Sequence, residues 1–157
     1  MIQRIQSVFL LLVMIAMTLM LFFPVWNKQN PETGAKASLT IATLLHEANG
    51  QVVHKQNVIY LGIGAAVAIV LASISLFSYK NRKLQVMINL INTLVIIGVL
   101  IGEVLLSFKG EKFFLPAVKG AYGIGFYMPG VALVCNALAN RFIRRDEMLV
   151  RSMDRLR

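Results

Sequence analysis

Apolar residues run almost unbroken through four stretches of helix length, 5–27, 56–79, 84–108 and 120–140, and polar residues collect between them. Each stretch has about the ~20 residues needed to cross ~30 Å of hydrocarbon. The pattern predicts four transmembrane helices within a single membrane domain, 1–157. A short basic connector around Lys80-Asn81-Arg82-Lys83 makes the second and third helices antiparallel neighbours. Pro24 and Pro31 help end the first helix, since proline lacks a donor and clashes with the preceding turn. Phe22, Phe23, Trp26, Tyr60 and Tyr79 mark the membrane edges, where aromatic side chains collect.

The loop 28–55 is the only sizeable segment outside these stretches. Within it Ser38–Leu45 and Gln51–His54 flank Asn49-Gly50, a strong two-residue hairpin signal. The expectation is a small external β-hairpin, with a short surface helix over 39–47 as the alternative. A lone hairpin is barely stable, so it should pack on the helices or on a partner. On the simple two-residue register Ala48 opposes Gln51, His46 opposes Val53 and His54 opposes Leu45. The two histidines then point to opposite faces and share no metal. The third connector, 109–119, contains Phe113-Phe114-Leu115-Pro116, which is suited to dipping into the outer interface. The tail, 141–157, reads as a basic amphipathic helix with Phe142, Leu149, Met153 and Leu156 on one face and Glu147–Arg151 as an i,i+4 pair.

Composition agrees with a membrane class. The chain has 157 residues, 57% of them hydrophobic, where soluble domains run nearer ~45–50%. Its net charge of +9 could suggest nucleic acid, but the charge is arranged by side. Every arginine (Arg4, Arg82, Arg141, Arg144, Arg145, Arg151, Arg155 and Arg157) falls at the N-terminus, in the second connector or in the tail. Four spans put those places on one face. The positive-inside rule makes that face the cytoplasm, with both termini there. The first span reads as an uncleaved signal-anchor, because its apolar run exceeds the ~7–15 residues of a signal core. The single cysteine, Cys135, allows no intramolecular disulfide and reads as a small packing residue.

Few residues inside the spans can carry chemistry. Glu103 is the one carboxylate there, and an intramembrane ionisable group is a functional hypothesis by default. It could hold a proton or cation near the outer face. Its place near the helix end favours a plainer role, reaching the interface or pairing with Lys109, Lys119 or Tyr122. Gly98-x-x-x-Gly102, and Gly64, Ala68 and Ala72 on the second span, suit close helix packing. Asn89, Asn92, Asn136 and Asn140 lie in the inner halves of the third and fourth spans. Asn89 and Asn136 share a depth and suit a contact between helices worth about 0.6–2 kcal/mol. Pro129 predicts a kink, for packing or, less often, for exposing carbonyls to a ligand. No catalytic, nucleotide-binding or metal-binding motif appears, and no span contains a histidine. The expectation is no enzyme, no cofactor and no metal.

The opening Met1-Ile2-Gln3-Arg4-Ile5-Gln6-Ser7, the connector Tyr79-Lys80-Asn81-Arg82-Lys83 and the ending from Leu138-Ala139-Asn140-Arg141-Phe142 to Met153-Asp154-Arg155-Leu156-Arg157 point the same way. Together they resemble the bacterial domain-of-unknown-function family 4293, small four-pass proteins of Bacteroidota-type bacteria. The resemblance implies a Gram-negative inner membrane and supplies no activity, ligand or site residue. The fold expected is therefore an all-α four-transmembrane-helix bundle with a small external hairpin and a basic cytoplasmic C-terminal helix. The function expected is a non-enzymatic accessory or scaffold subunit of a membrane assembly. A small transporter or ligand-binding protein using Glu103, Asn89, Asn92, Asn136 and Pro129 is the alternative. Arg144, Arg145, Arg151, Arg155 and Arg157 would dock on anionic lipid at the cytoplasmic face or on a membrane-protein partner. A homo-oligomer also fits; nucleic acid is not called for.

Overall fold

The structure, a computed structural model, describes residues 2–31, 34–48, 50–79, 81–112 and 119–154, with side chains within 5–148. In chain order it has α1 (Ile2–Phe22), β1 (Trp26–Gln29), β2 (Lys36–Leu39), β3 (Thr43–Ala48), β4 (Gln51–Asn57), α2 (Tyr60–Phe77), α3 (Arg82–Glu111), β5 (Ala121–Tyr122) and α4 (Ile124–Asp154). The strands form one antiparallel sheet in the order β4-β3-β2-β1-β5. This overturns the expected all-α four-span bundle. A five-stranded sheet caps one end of the helices, and three helices, α1, α2 and α3, are long and apolar enough to cross a membrane. The fourth, α4, is not among them. Asn136 and Asn140 interrupt its apolar run, and Arg141, Arg144 and Arg145 follow.

The error at the first span has a local cause. The helix stops at Phe22, one residue before the position preceding Pro24, where proline disfavours the helical region. The chain then extends, and Val25 N–H donates to the Leu39 carbonyl at 3.0 Å. Residues 26–27, read as the end of a helix, instead pair with Leu39 and Ser38 in β2. The run Ser38–Leu45 also divides. The chain turns at Thr40, whose N–H donates to the Thr43 carbonyl at 2.9 Å and whose Oγ1 accepts from Thr43 N–H at 3.1 Å. The expected hairpin is present as β3–β4, and the surface helix over 39–47 is not. Gly50 has φ +75°, the left-handed region that this turn requires.

The register of that hairpin differs from the simple one. Ala48 does oppose Gln51, but an irregularity between His46 and Glu47 shifts the rest, so His46 pairs with His54 and Leu45 with Lys55. A bulge of this kind changes which residues share a face. The histidines therefore lie directly across from each other. Among the described residues no group of three or more His, Cys, Asp or Glu is placed to hold a metal.

The helices pack side by side in the order α1-α2-α3-α4, with α4 returning against α1. In α2 and α3 the polarity runs opposite to that of a soluble bundle. The buried face of α3 carries Gln85, Asn89, Asn92 and Glu103, while Leu90, Leu94, Ile97, Ile101 and Leu105 point outward. The buried face of α2 is Leu61, Ala65, Ala68, Ala72 and Ser75, with Ile63, Val67, Val70 and Ile74 outside. Water would reverse both patterns. A lipid surround accounts for them: large apolar side chains meet hydrocarbon, and small or polar ones meet neighbouring helices.

Glycines set two of these approaches. A Cβ on Gly64 would come within 2.6 Å of Val99, and one on Gly102 within 2.9 Å of Leu61. At Gly98 a Cβ would meet nothing within 4 Å, so the Gly98-x-x-x-Gly102 pair is only half used.

Candidate functional site

The inward face of α3 is the candidate site. Gln85, Asn89, Asn92, Ile96, Val99 and Glu103 recur at three- and four-residue intervals and all are buried. This spacing puts them on one helix face. Glu103 is 0% exposed, and neither carboxylate oxygen has a hydrogen-bond partner among the described residues.

The pairing of Glu103 with Lys109, Lys119 or Tyr122 is therefore not made among the described residues. The helix continues past Phe108 to Glu111, so Glu103 lies about 12 Å from the helix end at ~1.5 Å per residue. Two turns above it on the same face, Gly110 lies against the Trp26 ring, where a Cβ would come within 2.7 Å. Trp26 is itself fully buried in β1. The expected partners are engaged elsewhere. Lys109 Nζ donates to Gln56 Oε1 at 2.7 Å, and the Tyr122 ring packs on Phe126 at 4.3 Å. Lys119 is exposed.

Toward the other end the polar groups come from three helices. Asn136 of α4 is fully buried, and its Nδ2 donates to the Asn89 carbonyl and to Thr93 Oγ1, both at 2.8 Å. The contact expected between the two asparagines thus exists, made to backbone rather than between amides. Gln85 Nε2 donates to the Ser75 carbonyl of α2 at 3.0 Å. Asn89 and Asn92 keep both side-chain polar atoms unpaired among the described residues, although both are buried. Buried polar atoms are nearly always satisfied, so a row of unsatisfied ones needs an explanation. Between Asn92 and Glu103 the face is filled by Ile96 and Val99, so the polar column has an apolar gap.

Pro129 lies inside α4, in its second turn. The glycines before it, Gly120, Gly123 and Gly125, seat the sheet, whereas a Cβ on Gly130 would meet nothing within 4 Å. A Cβ on Gly120 would come within 2.2 Å of Trp26 Nε1, and one on Gly123 within 2.2 Å of the Pro24 carbonyl oxygen. Gly125 N–H donates to that carbonyl at 3.2 Å. Close packing therefore explains the glycine-rich start of α4 without a ligand.

Two features escaped the sequence. Lys28, at the start of the expected loop, is buried in β1, and its Nζ donates to Glu111 Oε2 at 2.8 Å and to the Glu111 carbonyl at 3.2 Å. Glu111 Oε1 also accepts from Gly120 N–H at 2.9 Å, so one carboxylate ties α3, β1 and the approach to β5. On the outer side of the sheet, Asn27, Gln29, Lys36, Ser38 and Glu47 line a cavity of about 260 Å³. No spacing rule joins residues this far apart. By contrast, the period of Gln85, Asn89, Asn92 and Glu103 was readable.

At the end away from the sheet, Arg82 is paired with Asp146, and Phe9 stacks on Phe142 at 5.5 Å. The beginning of α1 and the later turns of α4 therefore share that end. Arg144 and Arg145 are exposed on α4, which runs on without a break through the expected tail helix. The side chains of Leu149, Arg151 and Met153 and all of Arg155, Leu156 and Arg157 lie outside the described residues, as does Phe113–Pro116.

A search of curated proteins finds no match. A model of the family described as Domain of unknown function (DUF4293) matches residues 2–156. With that match spanning nearly its whole length, the chain belongs to the Domain of unknown function (DUF4293) family.

Proposed function

We propose that this is a small, non-enzymatic membrane protein that binds a proton or a small cationic ligand at Glu103. One observation carries the reading: a fully buried carboxyl group with no partner on either oxygen among the described residues. An uncompensated buried charge costs several kcal/mol even after relaxation, so the group calls for a proton, a cation or a donor. The apolar plug of Ile96 and Val99 favours binding over a relay through the membrane. A non-catalytic role draws support from the sequence, which offers no histidine in a span and no catalytic motif.

The distribution of Lys and Arg supports an orientation with the sheet outside. The end bearing Arg82, Arg141, Arg144 and Arg145 then lies in the cytoplasm of a bacterial inner membrane, with both termini there.

A hydrophobic carbodiimide tests the reading, because it adds to protonated carboxyl groups in apolar surroundings. In membrane vesicles Glu103 should be modified, E103Q should not, and sodium, potassium or a small primary amine should slow the reaction. Modification at a rate that none of them changes would count against a binding site.

A second reading, an accessory or scaffold subunit, is favoured by β4. This edge strand is exposed at every residue but Gln56, with Val52 57% and Val53 63% exposed. An open apolar edge is a template for pairing with another chain. Pull-down from native membranes in mild detergent should recover a stoichiometric partner that is lost with V52K/V53K. A clean monomer would remove this reading.

A further inference from the structure

The end of the molecule away from the sheet carries a groove that the Glu103 site does not involve. It lies between α3 and α4, has a volume of about 420 Å³, and is lined by Leu90, Thr93, Ala137, Asn140, Arg141 and Arg144. Two contacts give its orientation. Asn136 reaches Asn89 and Thr93, and Asp146 pairs with Arg82, so the two helices run antiparallel past each other. Arg144 therefore stands near the first turn of α3, while Leu90 lies about 12 Å further along at ~1.5 Å per residue. The groove is cationic at its mouth and apolar at its depth.

We propose that this groove is a binding site for one anionic phospholipid, with the headgroup phosphate held by Arg141 and Arg144. Charge complementarity commits it to that occupant. Both arginines are exposed, and neither has a hydrogen bond or ion pair among the described residues. Asp146, the acid closest to them in sequence on the same helix, is already paired with Arg82. Arginine presents a planar fork of donors that matches phosphate geometry. Asn140 Oδ1 is buried without a partner among the described residues and offers an acceptor to a headgroup hydroxyl. One acyl chain then runs along Leu90 and Ala137, which are exposed to the surround. Basic pockets between membrane helices at the cytoplasmic side are suited to anionic headgroups. The site differs from general attraction of a basic tail to a charged surface, because it names two arginines and a groove and leaves Arg145 outside.

Native mass spectrometry of the full chain in detergent, titrated with phosphatidylglycerol or phosphatidylcholine, tests it. Phosphatidylglycerol should bind roughly thirtyfold more tightly than phosphatidylcholine, as two arginines at ~1 kcal/mol each imply. R141Q/R144Q should abolish that preference, and R145Q should keep it. A137W fills the groove at constant charge and should also reduce phosphatidylglycerol binding, which carries the test if the double variant misfolds. Inorganic phosphate at the same concentration should not compete. Equal binding of the two lipids would overturn the proposal. So would an R145Q loss as large as that of the double variant, unchanged binding in A137W, or full competition by phosphate.

Discussion

Lys28 Nζ lies 2.8 Å from Glu111 Oε2, although 83 residues separate them in the chain. The lysine side chain is 1% exposed and the glutamate side chain 33%. The pair fastens the first strand of the sheet to the last turn of α3. Without the carboxylate, a buried ammonium loses its main partner. Removing one member of a buried pair costs about 3–5 kcal/mol. The exposure of Glu111 reduces that, so E111A should destabilise by about 2–3 kcal/mol. K28M/E111L should recover most of the loss, because two apolar groups replace the pair. Thermal unfolding in detergent, followed by circular dichroism, checks both.

The glycines separate into those that seat the sheet and those that do not. A Cβ on Gly123 would sit 2.2 Å from a backbone oxygen, which cannot swing aside. G123A should destabilise by at least the ~1–3 kcal/mol typical of overpacking. At Gly98 a Cβ would meet nothing within 4 Å, so G98A should be neutral or stabilising by up to about 1 kcal/mol from helix propensity. Comparing the two melting temperatures tests this directly. Equal losses would show that both glycines are packed.

Asn136 donates to two acceptors on α3. N136A should cost about 0.6–1.7 kcal/mol, from the average to the largest value found for polar contacts between membrane helices. N136L should cost more, because branched bulk must fit a fully buried position. Reversible unfolding in mixed micelles measures the difference.

The helical part of the fold was legible because hydropathy over about 20 residues is a strong signal: of the three helices long and apolar enough to cross a membrane, two fall within the stretches read for them and α3 overruns its stretch at both ends. The sheet was not. Trp26–Gln29 and Lys36–Leu39 are four residues each and contain lysine, asparagine and glutamine, so no local propensity marks them. They form strands because they pair with each other, and β1 also with β5, a tertiary effect. The Asn49-Gly50 signal did locate one hairpin, but a bulge is invisible to a spacing argument, and it moved His46 opposite His54. Glu103 was visible as a lone carboxylate. It lies further from the helix end than its apolar stretch suggests, because α3 runs on through Lys109, Gly110 and Glu111.

Infrared difference spectroscopy of wild type against E103Q in lipid tests the central claim most directly. An unpaired, proton-bearing Glu103 carboxyl predicts a carbonyl band at the high-frequency end of the carboxylic-acid range, absent from E103Q and displaced when a bound cation replaces the proton. A band in the strongly hydrogen-bonded range, or a carboxylate signal that no added cation alters, would show that Glu103 is a satisfied structural group and would contradict the account.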